Sequence, residues 1–303
     1  MQINKNRFKD AIITDITNVT EVTNAIRQAI IISDIHAGCQ FGLFPDKTLL
    51  IDGGNQVSQS VLQSKVWVWW NEFWNDWVPR VTKNEKYVIV INGDTTDGRH
   101  HGSTTQISQN MSDQSKIAME ILQPILAQPN VAGLYMTRGT EAHTGPSGEN
   151  EELLAKALGA IPDEIGNYAR NELWLRIGGK NGALAHILHH IGTTGRTHYE
   201  TSAPMAEYGE SCLEAGRWST NAPDFVIRSH RHRYVETVIS TSRGYGMSIV
   251  TPGWQLKTPF SWKIAGGRNS LPQFGGILIR QGEEEHYSRS FVKNVSRTQE
   301  VVI

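Results

Sequence analysis

The chain has 303 residues, a formal net charge of −1 and 19% charged residues. This length buries ample apolar surface without disulfides, and the balanced charge excludes the basic excess typical of nonspecific nucleic-acid or membrane-surface binders. Two cysteines, Cys39 and Cys212, argue against a disulfide framework and fit a reducing compartment. The N-terminus lacks a basic region followed by an apolar run, and no stretch approaches the roughly 18 apolar residues of a membrane span. We therefore expect a cytoplasmic protein with no membrane partner.

The first buried strand is predicted at the apolar run of residues 30–32, which leads into Asp34 and His36. If strand geometry persists beyond the run, these two side chains share one face and can hold one ion together. The polar residues 1–29 before it predict a lead-in strand or helix. Cys39, just behind the pair, is predicted to fill space rather than to act as a nucleophile.

A long helix is predicted over residues 58–78. Its tryptophans recur at steps of three and four residues and so share one face; they are Trp67, Trp70, Trp74 and Trp77. Such a stripe is typical of a crossover helix that packs on a sheet. The alternative is an exposed aromatic surface that docks a partner or stacks on nucleobases.

The rest of the chain alternates predicted strands and helices. Strands are predicted at residues 86–92, 131–136, 173–177, 183–188 and 224–228, and helices at 112–128, 149–158 and 203–218, with Ser112 capping the first. The last four runs, at 234–240, 246–250, 275–280 and 286–292, predict antiparallel strands that complete a second sheet. Because no repeat or linker is visible, a single domain over residues 1–303 is predicted.

Metal-binding side chains follow five of the predicted strands directly. They are Asp34 and His36, then Asp94 and Asp97, then Glu141 and His143, then His189 and His190, and finally His230 and His232. Because ligand sites of open α/β sheets lie beyond the carboxyl ends of strands, these side chains point to one shared site. Manganese, iron and zinc accept imidazole and carboxylate together, and the number of ligands suffices for two ions. Asp97 is a metal ligand, a carboxylate that orients a ligand, or a turn residue.

The order of these motifs resembles the calcineurin-like metallophosphoesterases over residues 30 to 232: Asp-x-His, Gly-Asp-x-x-Asp, a Gly-x-x-x-His variant, a lone His after a strand, and His-x-His. The resemblance implies an α/β fold, a four-layer αββα sandwich in which two mixed β-sheets are flanked by helices. It also implies a dinuclear metal centre in which Asp34, His36 and His232 hold the first metal, Asp94 bridges, and His189 and His230 hold the second. His190 competes with His189, which is preferred because it directly follows the strand.

The third motif departs from the family pattern, which reads Gly-Asn-His-Asp or Gly-Asn-His-Glu. Residues 139–143 read Gly-Thr-Glu-Ala-His, so either Thr140 or Glu141 takes the role of the metal-binding Asn. A Glu141 ligand would strengthen metal binding and lower the electrophilicity of the ions. His143 is the candidate general acid. Arg138 either neutralises phosphate charge or forms a structural ion pair.

These residues predict a metal-dependent phosphoric ester hydrolase with two divalent ions, manganese first and iron or zinc as alternatives. Two ions about 3.5 to 4 Å apart clamp a phosphoryl group and lower the pKa of a bridging water, so a bridging hydroxide is the expected nucleophile. The tryptophan helix, with Trp254, Trp262 and Arg268 near the C-terminus, favours a phosphodiesterase acting on nucleotides or single-stranded nucleic acid. The alternatives are a phosphomonoesterase and a non-catalytic scaffold or assembly factor that docks through the tryptophan helix.

Overall fold

The computed structural model describes residues 25–100, 102–192, 197–242, 244–263, 270–296 and 300–303. The strands are β1 (Gln28–Ile32), β2 (Leu49–Leu50), β3 (Gln56–Val57), β4 (Tyr87–Asn92), β5 (Val131–Thr137), β6 (Ala169–Arg170), β7 (Leu173–Ile177), β8 (Ala183–Ile187), β9 (Phe225–Arg228), β10 (Val235–Thr241), β11 (Gly244–Val250), β12 (Gln273–Gln281) and β13 (His286–Asn294). The helices are α1 (Val61–Glu72), α2 (Val78–Thr82), α3 (Met111–Leu126), α4 (Glu141–Thr144), α5 (Glu149–Ala157) and α6 (Ser202–Trp218). A π-helical turn (Phe73–Trp77) joins α1 to α2, and 3-10 turns occur at Asp52–Gly54 and Thr197–Tyr199.

Two mixed sheets form the centre of the fold. The six-stranded sheet has the order β13-β12-β1-β4-β5-β6, in which β1, β4, β5 and β6 run parallel. The five-stranded sheet has the order β10-β11-β9-β8-β7, in which β11, β9 and β8 run parallel. The parallel strands are the apolar runs of the sequence, because strands buried on both faces need apolar side chains at every position.

The two sheets pack face to face, and the alternation of side chains along β1 shows how. Ala29 and Ile31 lie in the core between the sheets, whereas Ile30 and Ile32 lie in a second core beneath the helices. Helices α1, α3 and α5 contribute to that second core, and α6 packs on the outer face of the five-stranded sheet. The four-layer αββα sandwich implied by the sequence is therefore confirmed.

The tryptophan helix belongs to the core. Ser60 caps α1 through a capping box with Gln63, and the helix then runs through the π-helical turn into α2. Trp70 and Trp74 are each 1% exposed, and the Trp70 ring packs edge-on against Trp254 with centroids 4.8 Å apart. The alternative of an exposed aromatic docking surface is thus wrong, because the shared face of these rings points into the sheet layer.

The C-terminal strands divide between the two sheets, which corrects the prediction that all of them complete the second one. Strands β10 and β11 join the five-stranded sheet, but β12 pairs antiparallel with β1 and β13 pairs with β12. Ile277 and Ile279 of β12 lie in the core between the sheets, while Phe274 and Leu278 lie in the core beneath the helices. Both faces of β12 are covered in this position, as its apolar side chains require.

Two smaller points complete the comparison with the sequence. Asn110, not Ser112, caps α3, because the Asn110 side chain accepts a hydrogen bond from the Ser112 backbone N–H at 3.0 Å. In the part of the chain that the structure describes, no helix is both long and apolar enough to cross a membrane. Most of the predicted lead-in segment, residues 1–24, lies outside the described residues, as does Arg268.

Candidate metal centre

Six of the seven predicted metal ligands meet where four parallel strands end. Asp34 and His36 follow β1, Asp94 follows β4, His189 follows β8, and His230 and His232 follow β9. They form two groups, Asp34 with His36 and His232, and Asp94 with His189 and His230, and in each group the ligand atoms lie within 4.8 Å of one another. Each group therefore takes side chains from both sheets.

Left-handed backbone, rather than continued strand, aims these side chains. Strand β1 ends at Ile32, so strand alternation does not bring Asp34 and His36 together, contrary to the expectation from their spacing. Five of the ligands have positive φ: Asp34 (53°), His36 (48°), Asp94 (51°), His230 (70°) and His232 (52°). This conformation is uncommon outside glycine and persists where surrounding contacts hold it, which is typical of functional sites.

The first group converges on one point. Asp34 Oδ1 lies 3.2 Å from His232 Nε2 and 3.9 Å from His36 Nε2, and the two imidazole nitrogens are 3.3 Å apart. The Asp34 Oδ1 atom is buried and has no hydrogen-bond partner among the described residues. A buried carboxylate oxygen without a partner is costly, and a cation held by these three atoms would satisfy it.

The second group is centred on Asp94. Its Oδ2 atom lies 3.0 Å from His189 Nε2 and 3.9 Å from His230 Nδ1. His189 Nδ1 lies 2.6 Å from the Asn92 carbonyl oxygen and donates to it, which turns Nε2 toward Asp94. Nε2 is buried without a hydrogen-bond partner in the described chain and is the nitrogen that would bind a cation once its proton is displaced. His190 is exposed, so the structure places His189 and not His190 against Asp94.

The charges of the centre are arranged as carboxylate–imidazole pairs. Burial alone would raise the pKa of Asp94, but His189 and His143 hold it well below its usual range. Burial alone would likewise lower the pKa of His189, but Asp94 and Asp34 raise it to about 10. Protons thus balance the carboxylates in the metal-free protein, and a divalent cation bound here would displace them.

His143 reaches the same centre from the third position of α4. Its Nδ1 lies 2.5 Å from the Asp97 carbonyl oxygen and donates to it, while Nε2 lies 3.9 Å from Asp94 Oδ2. Burial lowers the pKa of His143 to about 4, so the ring is neutral at pH 7 and presents the lone pair of Nε2 to the centre. An anionic group bound nearby would favour the imidazolium that can donate a proton.

Thr140, not Glu141, contacts the second group. The Thr140 backbone N–H donates to Asp94 Oδ1 at 2.8 Å, and its Oγ1 lies 3.3 Å from the same oxygen. Glu141 is exposed and belongs to none of the metal-binding groups found among the described residues. The structure does not bring Glu141 to the centre, because α4 begins at that residue and its side chain is exposed.

Arg138 serves the fold. Its guanidinium donates to the carbonyl oxygens of Ala169 at 3.0 Å and Ser147 at 3.2 Å, and lies 3.9 Å from Glu152 Oε2. These contacts correspond to the structural alternative considered for this residue. They hold the guanidinium against β6, α5 and the turn between α4 and α5, so the expected role in neutralising phosphate charge is not supported.

Two buried carboxylates support the ligands; the sequence indicates Asp97 as a candidate orienting residue but does not single out Glu151. Asp97 accepts hydrogen bonds from His36 Nδ1 at 3.2 Å and from Gln106 at 2.7 Å, so it orients a ligand imidazole. Fully buried Glu151 accepts from the backbone N–H groups of Thr95 at 2.9 Å and Gly139 at 2.6 Å, and so ties together two of the ligand loops. In the sequence, Glu151 is one of several acidic residues at the start of a helix, and nothing marks it.

Comparisons with known proteins add little to this geometry. No family model and no curated protein matches the chain. Solved structures that match include a Vps29 double mutant from Entamoeba histolytica, with 9% identity, a TM-score of 0.38, and 89% of this chain and 99% of that chain covered. Vacuolar Protein Sorting 29 from Cryptosporidium parvum has 11% identity, a TM-score of 0.33 and coverages of 90% and 100%. Thermotoga maritima protein TM1076 has 10% identity, a TM-score of 0.34 and coverages of 89% and 100%. Because these TM-scores are low, the fold is assigned from the sheet order and layers described above.

Proposed function

We propose that this protein is a divalent-metal-dependent phosphoester hydrolase of the calcineurin-like type, acting on phosphodiester bonds of nucleotides or nucleic acid. The observation that carries the proposal is the pair of adjacent carboxylate–imidazole groups at the strand ends, in which Asp34 Oδ1 and His189 Nε2 are buried without hydrogen-bond partners in the described chain. Such atoms are satisfied by cations, and two neighbouring divalent cations are suited to phosphoester hydrolysis.

The donor set fits manganese, with iron and zinc as alternatives. Its atoms are imidazole nitrogens and carboxylate oxygens, which borderline metals accept together. A thiolate does not compete, because burial raises the pKa of Cys39 to about 12. When bound, two ions would supply an activated water and positive charge for the phosphoryl group. Asp34, His36 and His232 would hold one ion, and Asp94, His189 and His230 the other.

His143 and Thr140 complete the proposed site on the side of Asp94. Thr140 fixes the Asp94 carboxylate through its backbone N–H and its hydroxyl. His143 would take up a proton at Nε2 when the anionic substrate binds and deliver it to the leaving oxygen. Its Nδ1–H bond to the Asp97 carbonyl keeps Nε2 turned toward the centre.

Two observations support a diester over a monoester. Arg99, Arg138 and Arg231, which lie close to the ligands in sequence, each donate to a backbone carbonyl oxygen. A site with its guanidinium groups engaged suits the single charge of a phosphodiester better than the double charge of a monoester. Trp262, 51% exposed with the Lys257 ammonium 3.6 Å from its ring centre, offers a face on which a base can stack, whereas Trp254 is fully buried.

Hydrolysis by metal-stripped protein resupplied with manganese tests the proposal. Bis(p-nitrophenyl) phosphate and p-nitrophenyl phosphate would be compared, beside the Asp94→Asn variant. We expect manganese-dependent cleavage of the diester that the variant loses, because the amide cannot supply the charge that pairs with His189 and His230. Preference for the monoester would favour the phosphomonoesterase alternative.

A nucleotide substrate is tested by Trp262→Ala. We expect the KM for a nucleotide diester to rise while the kcat for bis(p-nitrophenyl) phosphate stays unchanged, since only the nucleotide has a base to stack. Metal binding without turnover of any diester or monoester would instead favour a scaffold. The shared face of the tryptophans could not be its docking surface, because Trp70, Trp74 and Trp77 are buried.

A further inference from the structure

A row of buried polar side chains runs beneath the metal centre and ends on one of its carboxylates. We call it the polar row; its members, from the far end, are Thr137, Asn92, Ser229, Thr251 and Ser33, all 0% exposed. Thr137 and Asn92 are the last residues of β5 and β4, and the other three directly follow β9, β11 and β1. The polar row therefore connects the ends of five parallel strands and passes between the two sheets.

Short hydrogen bonds link each member to the next. Thr137 Oγ1 donates to Asn92 Oδ1 at 2.6 Å, and Asn92 Nδ2 donates to Ser229 Oγ at 2.6 Å. Ser229 Oγ and Thr251 Oγ1 are 2.7 Å apart, and Thr251 Oγ1 and Ser33 Oγ are 2.8 Å apart. Ser33 Oγ donates to Asp34 Oδ2 at 2.6 Å. The O–H···O lengths lie in the usual range, and the N–H···O length from Asn92 lies just below it.

The protons of the polar row all point the same way. Asn92 Nδ2 is also 3.2 Å from the Leu188 carbonyl oxygen, which can only accept, so this atom is the amide nitrogen. Ser229 therefore accepts a hydrogen bond from Asn92 and donates one to Thr251, which in turn donates one to Ser33. The terminal carboxylate only accepts, which fixes the same direction from the other end. Hydrogen bonds aligned in this way polarise and strengthen one another.

At its end the polar row gives the two carboxylate oxygens of Asp34 different surroundings. Oδ2 accepts from Ser33 Oγ and lies 3.3 Å from the His230 backbone N–H. Oδ1 is left without a hydrogen-bond partner in the described chain and faces His232 Nε2 at 3.2 Å. The carboxylate thus presents one particular oxygen to the first ligand group, and rotation about its last bond would break the terminal hydrogen bond.

We propose that the polar row is a positioning device that holds Asp34 as a one-oxygen metal ligand and aligns the strand ends of both sheets that carry the ligands. This inference rests on the proposed function, since it requires that Asp34 binds a metal ion. The members are positioning residues, because their side chains act through one another and only the Ser33 side chain is hydrogen-bonded to a ligand side chain. Their effect is on metal affinity, and through it on hydrolysis.

The matched variants Thr251→Val and Thr251→Ser test the inference by calorimetric titration of the metal-stripped full-length protein with manganese. Valine keeps the shape of threonine and removes the hydroxyl, which interrupts the polar row at its crossing between the sheets. Serine keeps the hydroxyl and removes a methyl group. We expect Thr251→Val to weaken the affinity for the first ion about 10-fold or more, as loss of partners of metal ligands does, and Thr251→Ser to restore it.

The competing explanation is that Thr251 only fills space. It predicts the reverse order, because serine leaves a cavity and valine does not. Manganese binding by folded Thr251→Val as tight as that of the wild type would overturn the inference. Should Thr251→Val not fold, Ser33→Ala removes the terminal donor directly, and unchanged affinity there would overturn it equally.

Thr137→Val interrupts the polar row at its far end and extends the test. We expect this variant to weaken manganese affinity less than Thr251→Val does. The hydrogen bond from Ser33 to Asp34 remains and loses only the strengthening that it receives from the far end of the polar row. Failure of the wild-type protein to bind manganese would overturn both this inference and the proposed function. Tight binding by the wild type without hydrolysis would overturn the proposed function alone.

Discussion

Substitution of Gly139 by alanine should displace Asp94 and remove the second metal site. A Cβ added at Gly139 would lie 2.0 Å from Asp94 Oδ1 and 2.3 Å from the Asp94 backbone nitrogen. Real Cβ atoms essentially never approach other heavy atoms below 3.0 Å, so the two residues must separate by about 1 Å. Because the contact includes the backbone of Asp94, a change of its side-chain rotamer cannot relieve it. Gly139 itself does not have a left-handed φ, so alanine tolerates its conformation.

A misplacement of about 1 Å at a catalytic centre costs on the order of 100-fold in rate. We therefore expect Gly139→Ala to bind the first ion normally, to lose most of its affinity for the second, and to hydrolyse bis(p-nitrophenyl) phosphate about 100-fold more slowly. Calorimetric titration with manganese and steady-state kinetics measure these effects. Gly216→Ala is the matched control, because it lies in α6 and no atom lies within 4 Å of its added Cβ.

The intact first site guards against the trivial explanation that the variant is unfolded. Asp34, His36 and His232 are not displaced by the new methyl group, so tight binding of one ion shows that the sandwich has formed. Wild-type rates and two bound ions in Gly139→Ala would refute the steric reasoning and, with it, the assignment of Asp94 to the second site.

Five further outcomes follow from the site and the core. The affinity for manganese should increase between about pH 6.5 and 8.5, since the pKa of His189 is raised to about 10 and the metal must displace its proton. Calorimetric titration in buffers of different ionisation enthalpy measures the number of protons released. An affinity independent of pH would contradict this prediction. The same raised pKa means that the stability contributed by this histidine in the metal-free protein is fully present below pH 6.5 and is lost toward pH 10, as urea unfolding of wild type and His189→Asn would show. Glu141→Ala should leave two ions bound and turnover unchanged, and loss of the second ion would reinstate it as a ligand. Trp70→Ala should lower the free energy of unfolding by about 3 to 5 kcal/mol, and a loss below about 1 kcal/mol would contradict its burial. Arg138→Gln should lower stability without changing the KM for a diester, because its contacts are to the fold.

The strands and the ligands at their ends could be predicted because one physical requirement produces both. A parallel strand between two layers must be apolar throughout, so a polar side chain at its exit is conspicuous. Asp34, Asp94 and His189 were predicted for this reason, and the structure places them together. The same rule favoured His189 over His190 as the ligand, and the structure buries His189 and exposes His190.

What the sequence could not predict depends on the directions of side chains in turns. Whether Thr140 or Glu141 faces Asp94 is decided by where α4 begins, and a shift of one residue there reverses the answer. The partners of Arg138 are carbonyl oxygens from residues that are distant in sequence, which no pattern encodes. Sheet membership of β12 was likewise hidden, because a run with apolar residues on both faces fits a central position in either sheet.

The polar row shows a different limit. Serine, threonine and asparagine at strand ends are the residues expected of ordinary turns, so their types carry no sign of a shared hydrogen-bond network. Only the packing of the two sheets brings Ser33 to Thr251 and Asn92 to Ser229. Networks of this kind are visible once the strand ends are located in space.

Because each ligand group takes residues from both sheets, any ion bound there crosslinks the two halves of the sandwich. His232 and Asp34 lie far apart in the sequence, and so do His230 and Asp94, yet one coordination sphere would tie each pair together. An ion present at 100 times its dissociation constant adds about 2.7 kcal/mol to the free energy of unfolding. The resistance of the chain to proteolysis would then depend on the metal concentration. Removal of metal would weaken the contact between the two sheets at the strand ends, and added metal would restore it.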